Sequence, residues 1–447
     1  MPTYMKRTIT AVAAFAVVAS ACSEITSLKQ ENPGLLSVET LYVPANAPLL
    51  VSGAISDFQC ALNRYVAGSG LFTDELTVAI SATANFDYDA RRLLTNSTYG
   101  TNNCGSPTPS GVQQPGIYTP LSVARATADT AAVKLEGWTD AEVPNRNRLI
   151  AQAYTNAGFS LVLLGEGMCS AALNLGPEIQ PPALFTEAVS RFTKSIAAAT
   201  AAIAAAPTDT AATTALNMSR LGRARALLDL GGAANLAAAS ADAALIPASF
   251  VALTSPNDLN TRRQNSIFVS IGQATAFSTV EPSFRNVLVP GGTTQDPRVA
   301  VTDLNRPGTA TGSQLFIPAK HSAITSPVRI ASYAEAQLIV AENAASTGDL
   351  NGAVTAINNA RSRTAGLPAY VLPAGATAAD VKAQIIEERR RELSFEGHRL
   401  GDMRRYAIPF TPASGTAYQY GGVYGTQTCF PLPDVERINN PTIAKGT

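Results

Sequence analysis

The side chains best suited to chemistry in this sequence are suited to binding rather than to bond making. Residues 72–118 hold Phe86, Asp87, Tyr88, Arg92, Asn96, Tyr99 and Asn102 in a stretch rich in Thr, Asn, Ser, Gly and Pro. An aromatic ring offers a flat apolar face to a ligand, while amide, hydroxyl and guanidinium groups meet its polar groups. Tyr88, Tyr99, Phe86 and Arg92 are therefore the candidate ligand contacts, and filling the loop's own small core is the alternative use of each ring. Catalytic signatures are missing: there is no GxSxG elbow, P-loop, HExxH or complete GxGxxG. The two histidines, His321 and His398, are too few for a histidine-rich metal site and read as structural hydrogen-bonding groups. Paired carboxylates suffice for glycoside hydrolysis, but 33 acidic residues guarantee such pairs by number. The expectation is a protein that is no enzyme and holds no cofactor or metal; a surface glycoside hydrolase and a structural helical-repeat adaptor are the alternatives.

The amino terminus carries Lys6 and Arg7, an apolar run from Ile9 to Val18, and Ala19-Ser20-Ala21-Cys22. That order is a secretory signal, and the run is too short to span a bilayer. Cysteine directly after the small residues resembles the lipobox of bacterial lipoproteins, with Cys22 as the acylated residue. The expected organisation is a signal peptide over 1–21, a lipidated tether over 22–46 and a single domain over 47–447. The 33 basic residues balance the 33 acidic ones, which argues against a nucleic-acid partner. Cys60, Cys104, Cys169 and Cys429 remain, and four cysteines allow three full pairings that sequence does not choose among. Free buried thiols are equally compatible with it.

Positioning these groups falls to helices. Leu50, Ala54, Ile55, Phe58, Leu62 and Tyr65 follow helical spacing over 47–68, and the helical period resumes from about 120 to 204 with a Gly/Pro-containing break at 165–182. Trp138, the single tryptophan, falls in a turn between two long helices, where packing is its expected role. Small residues recur at spacings of four and three in Ala188/Phe192/Ser195, Ala237/Ala241/Ala244 and Ala353/Ile357/Ala360, the last two sets preceded by Gly232 and Gly348. This is a tetratricopeptide-like pattern of stacked helix pairs, separated by insertions. Irregular insertions are expected near 70–120 and 245–330, the second with short strands at Ile267-Phe268-Val269 and Leu315-Phe316-Ile317. Thr377 and Asp380 form a capping box for a helix with Val381, Ile385, Leu393 and Phe395 on its apolar side, Glu387 and Arg391 as an i,i+4 pair and Gly397 as its stop.

That last helix opens a long ordered block, Glu388-Arg389-Arg390-Arg391-Glu392-Leu393, Phe395-Glu396-Gly397-His398-Arg399, then Asp402 and Arg404-Arg405. It resembles the carboxyl-terminal block of the SusD/RagB family. Ser332 to Leu338 with Ala341-Glu342 and Gly348-Asp349, then Ala360 to Arg363 with Gly366-Leu367-Pro368, resemble the helix pair ahead of that block. Phe430-Pro431-Leu432-Pro433 with Glu436 and Asn440-Pro441 resembles the family's ending. The resemblance implies a mostly α fold, a tetratricopeptide-like α-α superhelix with a loop-rich ligand-binding half. It implies a lipoprotein on the outer membrane, anchored by lipid and facing the cell surface. It implies capture of nutrient, usually oligosaccharide and sometimes peptide, for a SusC-like TonB-dependent transporter, without catalysis.

Overall fold

The computed structural model describes residues 38–79, 83–105, 115–308 and 312–444. The chain divides into two units, Met1–Asn46 and Ala47–Thr447. In the first, a helical turn Val38–Leu41 is closed by Asn46, whose side-chain amide donates to the Thr40 and Leu41 carbonyls.

The second unit is built on helices packed in chain order: α1 (Ala47–Phe72), α2 (Tyr118–Glu136), α3 (Arg146–Gly167), α4 (Pro181–Ala205), α5 (Thr210–Leu230), α6 (Ala233–Ala243), α7 (Tyr333–Ser346), α8 (Leu350–Arg361), α9 (Ala378–Glu392) and the short α10 (Arg399–Arg405). The sequence places their starts. Asp209 caps α5 by accepting from Ala211 and Ala212 N–H at 3.0 Å, Asp349 caps α8, and the Thr377/Asp380 capping box of α9 is present. Gly232 and Gly348 take φ of 83° and 85° in the turns that join paired helices, a conformation only glycine adopts without strain.

Small residues let three helices close up. Phe192 of α4 lies over Gly158 of α3 and Gly222 of α5; a Cβ at either glycine would stand 2.7 or 2.3 Å from its ring. Beside it, the fully buried hydroxyls of Thr155, Ser195 and Ser219 bond one another at 2.7–2.9 Å, so the polar atoms that close packing traps are satisfied. Two of the three small-residue sets thus face the core as expected. The third does not: Ala237, Ala241 and Ala244 are exposed, and α6 buries Ala239 and Ala243 instead.

The insertions contribute four two-stranded antiparallel sheets among the described residues, pairing β1 (Leu76–Val78) with β5 (Ser278–Val280), β2 (Ala171–Ala172) with β3 (Glu178–Ile179), β4 (Val251–Leu253) with β8 (Arg329–Ser332), and β6 (Val301–Pro307) with β7 (Gln314–Pro318). Leu315-Phe316-Ile317 is the expected strand. Ile267-Phe268-Val269 is not: it forms a helical turn, Ser266–Ile271, because Asn265 accepts from Phe268 N–H and starts one. Two disulfides form, Cys60–Cys104 and Cys169–Cys429.

The Arg/Glu block is buried, not solvated. Helix α9 ends at Glu392, ahead of Gly397, because Phe395 turns left-handed at φ 59°. The Glu75 carboxylate accepts from Phe395 N–H at 2.6 Å, and the Phe395 carbonyl lies 2.8 Å from His321 Nε2. Glu388 is 1 % exposed and accepts from Arg298 Nη1 at 2.6 Å and Arg361 Nε at 3.1 Å. Arg389 pairs with Asp402, Arg399 with Asp74, and Arg329 with both Glu392 and Glu396. Burial alone would raise the Glu388 carboxyl, but Arg361 and Arg298 hold it below the ordinary value. Removing one member of such a pair strands the other charge out of water. Glu388→Ala is expected to cost about 3–5 kcal/mol in urea unfolding, and Glu387→Ala, half-buried on the same helix and paired only within it, about 1 kcal/mol or less.

Candidate functional site

Of the candidate ligand contacts, two lie in the core. Tyr88 and Tyr99 are both 0 % exposed. Their hydroxyls donate to the Pro115 and Pro431 carbonyls at 2.6 and 2.9 Å, and both rings pack on Phe430. Each has more to gain from burying its ring with the hydroxyl satisfied than from a surface position, so neither presents a face to a ligand in this conformation. Phe86 and Arg92 are half-buried and border a second aromatic group. Phe86 stacks on Tyr420 at 4.6 Å with the rings 6° from parallel, and the Arg92 guanidinium lies 5.4 Å from the centre of the Tyr418 ring. Cys22 lies outside the described residues.

Asp89 ties this group to the frame. Its Oδ2 accepts from Thr77 Oγ1 at 2.9 Å, Val78 N–H at 3.0 Å and the Tyr418 hydroxyl at 3.2 Å. Burial pushes its carboxyl from an ordinary 3.8 to about 6, against the pull of those three donors.

Beyond Arg91 opens a cavity of about 540 Å3. One wall is the segment after α10, with Ile408, Pro409, Phe410 and Ser414; the other is Gly425, Thr426, Gln427 and Thr428. Both walls are held from behind. Ile408 N–H donates to the Met403 carbonyl and Gly425 N–H to the Ala90 carbonyl. The Gln427 side chain bonds both backbone groups of Leu93, at 2.7 and 2.8 Å. Cys429 is joined to Cys169 just past the end of α3, where Phe430 and Gly167 also share a backbone hydrogen bond. Arg404 crosses from α10 to donate to the carbonyls of Gly165, Glu166 and Met168, completing the carboxyl end of α3. Arg91 sits between the rings of Phe410 and Tyr424, 5.4 and 4.9 Å from their centres, and donates to the Pro412 carbonyl.

The lining is therefore an apolar surface of Ile408, Pro409 and Phe410 beside the hydroxyls of Ser414, Thr426 and Thr428. Its charged lining is Arg91 and Arg404, and no carboxylate, histidine or thiol is among its lining residues. Sequence reading passed over residues 406–429. The signal there is a run of Gly, Ser, Thr and Pro carrying Phe410, Tyr418, Tyr420 and Tyr424, with no period to mark it.

Residues 261–441 match the model of the SusD family. Over that stretch the chain is similar to the SusD family. Solved structures share the SusD fold across nearly the whole length. A SusD superfamily protein from Bacteroides vulgatus superposes with a TM-score of 0.61 at 14% identity, over 89% of this chain and 97% of that one. A SusD-like carbohydrate binding protein from the same species gives 0.57 at 14%, over 90% and 98%. Surface glycan-binding protein A from Bacteroides fluxus gives 0.60 at 14%, over 90% and 97%. No curated protein matches by sequence. The SusD family match covers α7 to α10 and both cavity walls, the part of the chain where the Arg/Glu block lies.

Asp89 gives the site a pH signature. Its carboxyl binds a proton more tightly folded than unfolded, so its contribution to stability is full below about 4 and falls as pH rises to about 6. The loss is on the order of 2 kcal/mol. Urea unfolding between pH 4 and 7 should show that decline in the wild type and a flatter profile in Asp89→Asn.

Proposed function

We propose that this protein captures an oligosaccharide at the outer surface of a bacterial outer membrane and passes it to a SusC-like TonB-dependent transporter, without altering it. The observation that carries the binding half is the lining of the 540 Å3 cavity. Phe410, Pro409 and Ile408 offer a face for the C–H side of a sugar ring, and Ser414, Thr426 and Thr428 offer hydroxyls that donate and accept. A cavity of this size encloses a small ligand or the end of a longer chain. The SusD-family match and the names of its structural neighbours, a carbohydrate binding protein and a surface glycan-binding protein, support the same class of ligand. Phe86, Tyr420 and Arg92 extend the binding surface beyond the cavity in this reading, in place of the buried Tyr88 and Tyr99.

Anchoring falls to Cys22. Among the described residues no helix is long and apolar enough to cross a membrane, and acyl chains on Cys22 would hold residues 47–447 to the surface through the segment 22–46. Transfer to a barrel-shaped partner is the role that the family resemblance implies.

Calorimetric titration with a panel of plant, host and microbial oligosaccharides, with product analysis of each mixture, tests the binding claim. At least one glycan should bind and be recovered intact, and Phe410→Ala should weaken it about tenfold, as loss of one stacked ring implies. Unchanged affinity in that variant, or rapid cleavage of the glycan, would contradict the proposal. In cells, Cys22→Ser should move the protein from the membrane fraction to the soluble one.

A further inference from the structure

Two further cavities, of about 300 and 390 Å3, adjoin at Thr214 of α5, which lines both. The first lies between α1, α3, α5 and the β4–β8 pair. The second lies where α5 begins and the chain enters β4. Strand β4 runs past both. Val251 and Leu253, alternate residues on one side of the strand, line one cavity each and stand 51 % and 45 % exposed. No residue of either lining belongs to the 540 Å3 cavity.

The polar groups of these linings are primary amides left short of partners. Asn217 is 6 % exposed, and its amide has no hydrogen-bond partner among the described residues. Asn156 is equally buried; its Nδ2 donates to the Gln152 carbonyl at 2.7 Å, and its Oδ1 has no such partner. Gln59 is 8 % exposed; its Oε1 accepts from Ser255 N–H at 3.0 Å, and its Nε2 has no such partner. These atoms are not sealed in the core: each keeps contact with solvent, and the cavities are what they open on. Buried amides are ordinarily satisfied within the fold. Three on neighbouring elements, all open to the same pair of cavities, suit an occupant that both donates and accepts.

Charge and shape narrow the class. Neither lining includes a charged side chain, although the chain carries 33 basic and 33 acidic residues. An ionised group entering here would lose water and gain no counter-charge. A peptide group presents a donor and an acceptor side by side, as a primary amide does. Gln59 Nε2 suits a peptide carbonyl, Asn156 Oδ1 a peptide N–H, and Asn217 either. The first cavity has no aromatic face for a sugar ring; its apolar lining is Ile55, Met218, Leu253 and Ile330. Branched side chains and a flexible thioether fit around aliphatic side chains instead.

We propose that the two cavities together bind an uncharged internal stretch of a polypeptide, its backbone on Gln59, Asn156 and Asn217 and its apolar side chains against Met218, Val251 and Leu253. Calorimetric titration of the purified full chain with an array of pentapeptides, uncharged and blocked at both ends, tests it. At least one should bind, and the same peptide with Asp or Lys at its centre should bind tenfold more weakly or worse. Asn217→Leu should weaken binding about fivefold or more and melt no earlier than the wild type, since it removes an amide that has no partner. Leu253→Lys, at an exposed position, should abolish binding, and Phe410→Ala should leave it unchanged. Binding that ignores both Asn217→Leu and Leu253→Lys, or that tolerates a central charge, overturns the proposal. So does a glycan that binds and is weakened by Asn217→Leu while no peptide binds. A glycan that binds and responds to Phe410→Ala alone, with no peptide bound, overturns it and leaves the proposed function standing.

Discussion

A carboxylate or guanidinium taken out of water must be met by an opposite charge in good geometry, and the segment from Glu388 to Arg405 takes several out at once. Their partners come from far along the chain: Arg298 and Arg361 on Glu388, Asp74 on Arg399, Arg329 on Glu392 and Glu396, Glu342 on Arg405. Such pairs are no more stabilising than well-packed apolar residues would be. What they impose is register. A shift of α9 or α10 by one residue would leave several charges buried and unmatched, so the block fits the body in one way. His398 shows the same constraint. Burial, then the adjacent Arg225 and Arg389, keep its ring neutral, and its Nε2 lies 3.1 Å from Arg225 Nη2.

This constraint reaches the cavity through chain continuity. Helix α10 carries Met403 and Arg404 into one side of the 540 Å3 cavity, and residues 407–414 follow from it directly. Irregular cavity walls must be held without helical hydrogen bonds of their own. Here they borrow support from Arg404 on the end of α3, from the Cys169–Cys429 disulfide and from the Gln427–Leu93 pair. The helical frame supplies rigidity; the irregular segments supply the cavity walls.

The frame was legible in the sequence because helices announce themselves by period and by caps. Thr377/Asp380, Gly348 and the rows of Ala353/Ile357/Ala360 mean what they appear to mean. Alanine-rich α6 did not, since alanine at every position hides which face is inward: Ala239 and Ala243 are buried where Ala237 and Ala241 were expected. The candidate site was far less legible. Tyr88 and Tyr99 have the residue types a sugar site needs, but the same rings serve a core whenever a carbonyl is at hand for the hydroxyl. Phe430, more than 300 residues away, supplies the packing that draws them in, and no local pattern encodes that meeting. The walls at 407–414 and 425–428 have no period at all, so only the fold assembles them.

Native-state hydrogen exchange of the backbone amides from Leu393 to Met403 tests the central claim most directly. If the buried ion pairs lock this segment to the body, its protected amides, Phe395 N–H on Glu75 above all, should exchange only through global unfolding. Their opening free energy should then match that of the core amides in α3 and α5. Exchange of Phe395 through a local opening several kcal/mol cheaper than global unfolding would contradict it.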